Sequence, residues 1–189
     1  MLSQQQLSTL KTAVLANTDT IPAGHPWSGI YAGTQVKDVP NNPDGNVAVA
    51  GYYNLTASPD FWVFPSTVQV EQVVLAVNGA EYLALGANAA ATNLHHNLFA
   101  LLTRNGVIRP GDQAVRTLVT TIFPVGTAPL TRAAILEACT RKATRAEQLF
   151  AITATGPGGG AGSSRAAAAN LGFEGHLTGS DVNSALNLE

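Results

Sequence analysis

Apolar residues recur at helical spacing along much of this chain. Leu7, Leu10 and Val14 follow Ser3 and Gln6, whose three-residue separation fits a capping box, and the pattern predicts a helix over 3–16. Val70, Val73, Val74 and Val77 stand at i, i+3, i+4 and i+7. Their β-branching makes a strand the competing reading, but the Pro65-Ser66 entry with Gln69 three residues on favours helix. Leu94, Leu98, Leu101 and Leu102 share a face behind Asn93, which is placed to cap them, and Asn105-Gly106 ends that run. Val115, Leu118, Val119 and Ile122 repeat the spacing behind Asp112 and stop at Pro124. The stretch 127–150 reads as the longest helix, with Pro129 in its first turn and Leu130, Ile135, Cys139, Leu149 and Phe150 as apolar positions.

The pattern fails in two places. Residues 17–59 are punctuated by prolines and glycines, and NNPDG at 41–45 is a strong turn signal. Periodicity does not decide whether 46–53 is a short strand or a helical turn. So long a loop is uncommon inside a compact domain, which predicts an extended arm lying on a neighbouring subunit. After Phe150, Ile152–Thr155 has strand propensity, GPGGGAGSS at 156–164 reads as a flexible connection, and 171–177 predicts a second strand. Ser180 and Asp181 are then placed to cap a short terminal helix bearing Val182, Ala185 and Leu186. The fold expected is mainly α. One domain holds an N-terminal helix (1–16), a loop arm (17–59), a helical core (60–150) and a glycine-rich β-hairpin arm with its tail (151–189).

Composition adds a constraint. The chain has 189 residues, and only 12% are charged, about half the usual share near 25%. A small free domain normally carries more surface charge, so subunit association is expected. Net charge is −2, which gives no global attraction to nucleic acid. The distribution is uneven: residues 1–100 hold two lysines against six acids, whereas 101–150 hold six arginines and Lys142 against three acids. That basic middle is a solvated helix face or a seam for an acidic partner; without interleaved aromatics, nucleic-acid contact is incidental at most. No run of 18 apolar residues predicts a membrane span, and the first residues lack the basic-then-apolar layout of a secretory signal.

Candidate chemistry is sparse. Adjacent His95 and His96 point about 100° apart on a helix and do not share one ion. The glycine-rich segment lacks the Lys-Ser/Thr ending of a phosphate loop, and no G-x-S-x-G elbow occurs. Cys139 sits on an apolar face as an inert thiol. No catalytic residue, metal ligand or cofactor site is expected, and the chain reads as a non-enzyme.

Two stretches carry a resemblance. Ala57-Ser58-Pro59-Asp60-Phe61-Trp62-Val63-Phe64 is one. The other is Arg141-Lys142-Ala143-Thr144-Arg145-Ala146-Glu147-Gln148-Leu149-Phe150-Ala151, followed after the glycine-rich gap by Leu171-Gly172-Phe173-Glu174-Gly175-His176-Leu177 and Ser180-Asp181-Val182. These strings, about a sixth of the chain, resemble a family of small structural proteins of tailed bacteriophages and prophages. The resemblance implies a virion protein made in the host cytoplasm. The helical middle with arms at both ends fits best a head–tail connector (adaptor or neck) subunit, arranged in a ring of its own copies beside the portal or other head and tail proteins. Capsid cement, a tail or fibre-associated part, and a non-virion binding protein are the alternatives. Within that reading, Trp62 and Phe64 share one face of an extended segment and anchor the loop, with Trp62 mostly buried. Phe173 and Leu177 give the hairpin an apolar face. Arg141, Lys142 and Arg145 at the arm's root meet Glu174 or Asp181 of an adjacent copy.

Overall fold

Helix starts are carried by short side-chain signals. At the head of α1 (Gln4–Ala16), Ser3 Oγ accepts the Gln6 N–H while the Gln6 side chain accepts the Ser3 N–H, closing the expected box. The computed structural model describes residues 1–85 and 89–189. After α1 the elements run α2 (Pro43–Tyr53), β1 (Trp62–Phe64), β2 (Val68–Gln69), α3 (Val70–Leu75), α4 (Gly79–Ala84), α5 (Ala89–Thr103), β3 (Val107–Ile108), α6 (Gln113–Ile122), α7 (Pro129–Ala138), β4 (Arg141–Lys142), α8 (Arg145–Leu149), β5 (Ala169–Asn170) and α9 (Gly179–Leu186). The fold is mainly α. Where the sequence suggests one domain, the chain divides into two compact units. Unit 1 combines Met1–Ser58, Ala143–Phe150 and Gly175–Glu189; unit 2 combines Pro59–Lys142 and Ala151–Glu174.

In unit 1 the expected loop arm is replaced by core. Asn42 Oδ1 accepts the Gly45 N–H at 2.8 Å and Pro43 occupies the first turn, so NNPDG starts a helix instead of reversing the chain. α2 then buries Ala48, Val49, Tyr52 and Tyr53. The loop before it is tied down by Ile21 N–H to Thr34 O at 2.9 Å and Gly33 N–H to Ile21 O at 2.8 Å, and it buries Ile21 and Val36. Trp27 packs against α2 at Gly51; a Cβ there would come within 2.2 Å of the indole. α9 packs on both α1 and α2. Its cap is Thr178, two residues ahead of the expected Ser180, with Asp181 completing the box. Val182 and Ala185 are fully buried.

Unit 2 holds a three-stranded sheet ordered β4-β1-β5 and a two-stranded ribbon, β2-β3. β1 pairs antiparallel with β4 (Trp62 with Lys142, Val63 with Arg141) and parallel with β5 (Val63 with Ala169). Phe64, Val73, Val119, Ile122, Phe123 and Ile135 lead the core beneath. α6 matches the expected spacing, with Asp112 Oδ1 accepting the Ala114 N–H at 2.8 Å. α3 forms, preceded by strand residues Val68–Gln69, and ends at Leu75. Asn78 then caps α4, accepting from the Ala80 and Glu81 N–H groups. α5 begins at Ala89, so the position expected to cap it, Asn93, lies four residues inside the helix.

The long helix expected over 127–150 is interrupted. α7 ends at Ala138, Arg141–Lys142 pairs with β1, and a Thr144–Glu147 capping box starts α8. Pairing Arg141 and Lys142 with β1 and capping anew at Thr144 competes successfully with one continuous helix.

The C-terminal hairpin also differs from expectation. Ile152 does meet an antiparallel partner, but that partner is Asn170, and β5 lies beside β1. The connection is ordered. Ala154 N–H reaches Gly160 O, Gly160 N–H reaches Ala168 O, and Gly162 N–H reaches Ala167 O at 2.7 Å. Gly162 has φ +77°, and a Cβ there would lie 2.4 Å from the Phe61 ring. The glycines therefore admit tight packing, not looseness. Residues 151–174 belong to unit 2 and 175–189 to unit 1, so no separable arm exists.

Candidate functional site

The aromatic run on β1 divides its roles. Val63 and Phe64 are fully buried, whereas Trp62 is only half-buried, contrary to the expected mostly buried anchor. Val63 is the middle residue of the three-stranded sheet and Phe64 turns into the core. Trp62 is covered by cationic side chains: Arg165 lies 5.2 Å and Lys142 5.9 Å from its ring. Arg165 is anchored through the Glu137 carbonyl, at 2.9 Å.

The cations expected to meet an adjacent copy find partners in their own chain. Arg141 pairs with Glu174 at 3.1 Å, and Lys142 with Asp60 at 2.7 Å. The second Glu174 oxygen accepts the Ser66 N–H at 3.1 Å. Burial would raise the Glu174 carboxyl, but these bonds from Ser66 and Arg141 outweigh it and hold the group below its ordinary value. Asp181 is engaged in the α9 cap. Phe173, half-buried in unit 2, and Leu177, buried in unit 1, do not share a strand face. Leu177 is instead clamped by Asn54, whose amide donates to its C=O at 2.8 Å and accepts its N–H at 2.7 Å.

Arg145 is different. It sits at the start of α8, which the buried Glu147 fixes by accepting the Thr144 N–H at 3.0 Å and the Gly175 N–H at 3.3 Å. Its guanidinium carbon lies 4.1 Å from the Tyr52 ring centre, and its closest acid is Asp19 at 4.0 Å. The Tyr52 hydroxyl donates to that same Asp19 oxygen, and Asn17 donates to the Tyr53 hydroxyl at 3.3 Å. Burial leads in pushing both tyrosine hydroxyls above their ordinary pKa, so both keep their protons at neutral pH. These groups line an open pocket of about 380 Å³. Asn17, Asp19, Tyr52 and Tyr53 lie some ninety residues or more ahead of Arg145, and no local pattern in the sequence joins them.

In unit 2 a second feature escapes sequence reading. The helices α3 to α5 do not bury all their apolar residues. Leu98 and Leu102 pack on the core, while Leu75, Leu83, Leu94 and Leu101 remain 79%, 76%, 57% and 57% exposed. Cys139 is buried, and desolvation pushes its thiol up to about 11. Among the described residues no three His, Cys, Asp or Glu side chains gather as a metal site, and no helix is long and apolar enough to cross a membrane.

Fold and surface together define a mainly α protein of two units, one with an open pocket beside Arg145 and the other with uncovered leucines. Compared with protein-family models, with curated proteins and with solved structures, the chain finds no match.

Proposed function

We propose that this chain is a structural subunit of a tailed-phage virion, most specifically a head–tail connector (adaptor or neck) subunit that packs against copies of itself and against neighbouring head or tail proteins. The observation that carries this reading is the set of exposed leucines on α3 to α5: Leu75, Leu83, Leu94 and Leu101. Covering a leucine fully is worth about 1.5–3 kcal/mol, so four such residues left in water favour association. The 12% charge content acts in the same direction, because little charge opposes burial of the surface. The strings around Trp62, Arg145 and Phe173 supply the virion assignment through their resemblance to the phage family. The partner that covers these leucines is a second copy of the chain.

Native mass spectrometry of the purified protein, with proteomics of purified particles, tests the reading. We expect closed oligomers or incorporation into particles, and an interface above about 1,000 Å² in the assembly. Leu83→Glu combined with Leu94→Glu should abolish assembly and leave the fold intact by circular dichroism. A monodisperse monomer together with absence from particles refutes it.

A further inference from the structure

Arg145 is one of three cations in unit 1, with Lys11 and Lys37, against six acids: Asp19, Asp38, Asp44, Glu147, Asp181 and Glu189. Its position therefore does not reflect a generally basic surface. The guanidinium lies over the Tyr52 ring, 4.1 Å from its centre, and its fork of N–H donors makes no hydrogen bond among the described residues. Asp19 stays at 4.0 Å, and the oxygen nearest Arg145 is already taken by the Tyr52 hydroxyl.

Around this fork the free groups can all donate. Tyr53 is 4% exposed; its oxygen accepts from Asn17, and its own hydrogen has no acceptor among the described residues. The side chains of Ser58 and Gln148, which line the same pocket, also lack hydrogen-bond partners there. A pocket of about 380 Å³ thus presents a planar cation, a buried phenol O–H, a hydroxyl and an amide, with one partly neutralised carboxylate at its edge.

We propose that this pocket binds a carboxylate, held bidentately by Arg145 and additionally by the Tyr53 hydroxyl. The fork geometry of guanidinium matches the two oxygens of a carboxylate. Asp19 beside it sets the charge limit: a singly charged planar group is accepted, whereas a phosphate dianion meets a fixed negative neighbour. The carboxylate comes either from a free small acid or from an acidic side chain of another protein; the chemistry at Arg145 is the same. This assignment stands independently of the assembly reading.

The test is a titration of the full chain, followed by ¹H–¹⁵N correlation spectra at the Arg145 Nε–H and the Tyr53 amide. The probes are acetate, succinate and the blocked peptide Ac-Ala-Glu-Ala-NH₂, at constant ionic strength against sodium chloride and inorganic phosphate. We expect saturable shifts with a carboxylate probe in the range of about 0.1–10 mM. Arg145→Gln should weaken binding by about tenfold or more, Arg145→Lys by about fivefold through loss of the fork, and Tyr53→Phe by about three- to tenfold. Arg165→Gln, in unit 2, should leave binding unchanged. Tighter binding of the peptide than of the free acids assigns the site to a protein side chain, and the reverse order assigns it to a small acid. The proposal is overturned if no carboxylate gives a saturable shift, if chloride or phosphate gives the same response, or if folded Arg145→Lys and Tyr53→Phe bind as the parent does.

Discussion

The Arg116 guanidinium lies 4.4 Å from the centre of the Phe64 ring, with the arginine 1% exposed and the phenylalanine equally buried. Its donors go to four main-chain carbonyls: Pro110 at 2.5 Å, Gly111 at 3.0 Å, Thr155 at 2.5 Å and Pro157 at 2.9 Å. One side chain thereby joins the turn before α6 to the start of the glycine-rich segment. Arg116→Met keeps much of the volume but leaves these carbonyls without donors. We expect a loss of about 3–5 kcal/mol, read as a lower urea midpoint. Arg116→Lys should recover only part of it, because an ammonium cannot reach four diverging acceptors.

Gly162 combines φ +77° with the Phe61 ring in the place of a side chain. Gly162→Ala adds left-handed strain of about 1–2 kcal/mol to an overpacking cost of about 1–3 kcal/mol. Thermal unfolding should show the combined loss. Phe61→Ala in the same chain should remove the overpacking part and leave the backbone part, so the double variant should lose less than the sum of the two singles.

Glu174 sets an acid limit. A carboxyl whose folded pKa lies below its unfolded value adds stability above the unfolded pKa and loses it as pH falls through the folded one. For Glu174 that window opens just below 4.5 and extends downward. Glu174→Gln should therefore be less stable than the parent at pH 7, and the difference should shrink on acidification and vanish once the parent carboxyl is protonated. Denaturant midpoints measured across that range read it directly; a gap that persists unchanged at the acid end contradicts the assignment.

Cys139 is 2% exposed, and burial pushes its thiol up to about 11. At pH 8 the native protein should react with a thiol reagent only as fast as it opens, and denaturant should restore ordinary thiol rates. A fast native reaction would mean that α7 does not hold its apolar side against the core.

What the sequence made legible is mostly local. Ser3 with Gln6, and Asp112 before the Val115 to Ile122 run, identify their helices because cap and apolar spacing lie within one or two turns. Thr144 and Glu147 carry an equally local signal, but apolar spacing on either side suggested one helix running through it. The break at Arg141–Lys142 depends on pairing with Trp62–Val63, some eighty residues away. Arg116 was counted with a solvated basic face; its acceptors are main-chain carbonyls, two of them about forty residues distant, and a carbonyl leaves no mark in residue type. The Arg145 pocket was half legible for the same reason: the cation stood out, while Asp19, Tyr52 and Tyr53 reach it only through the packing of unit 1.

The chain passes between the two units four times, after Ser58, Lys142, Phe150 and Glu174. Synthesis therefore cannot finish one unit before starting the other. Unit 1 lacks the helix that covers α1 and α2 until residue 186 has been made, and unit 2 lacks β5 until residue 170. For most of its elongation the nascent chain holds two incomplete cores with apolar surface in water. A product that stops before Glu174 holds neither unit whole and should be cleared by proteases instead of competing with the full-length protein for its partners, whereas one that stops between Glu174 and Glu189 keeps every residue of unit 2.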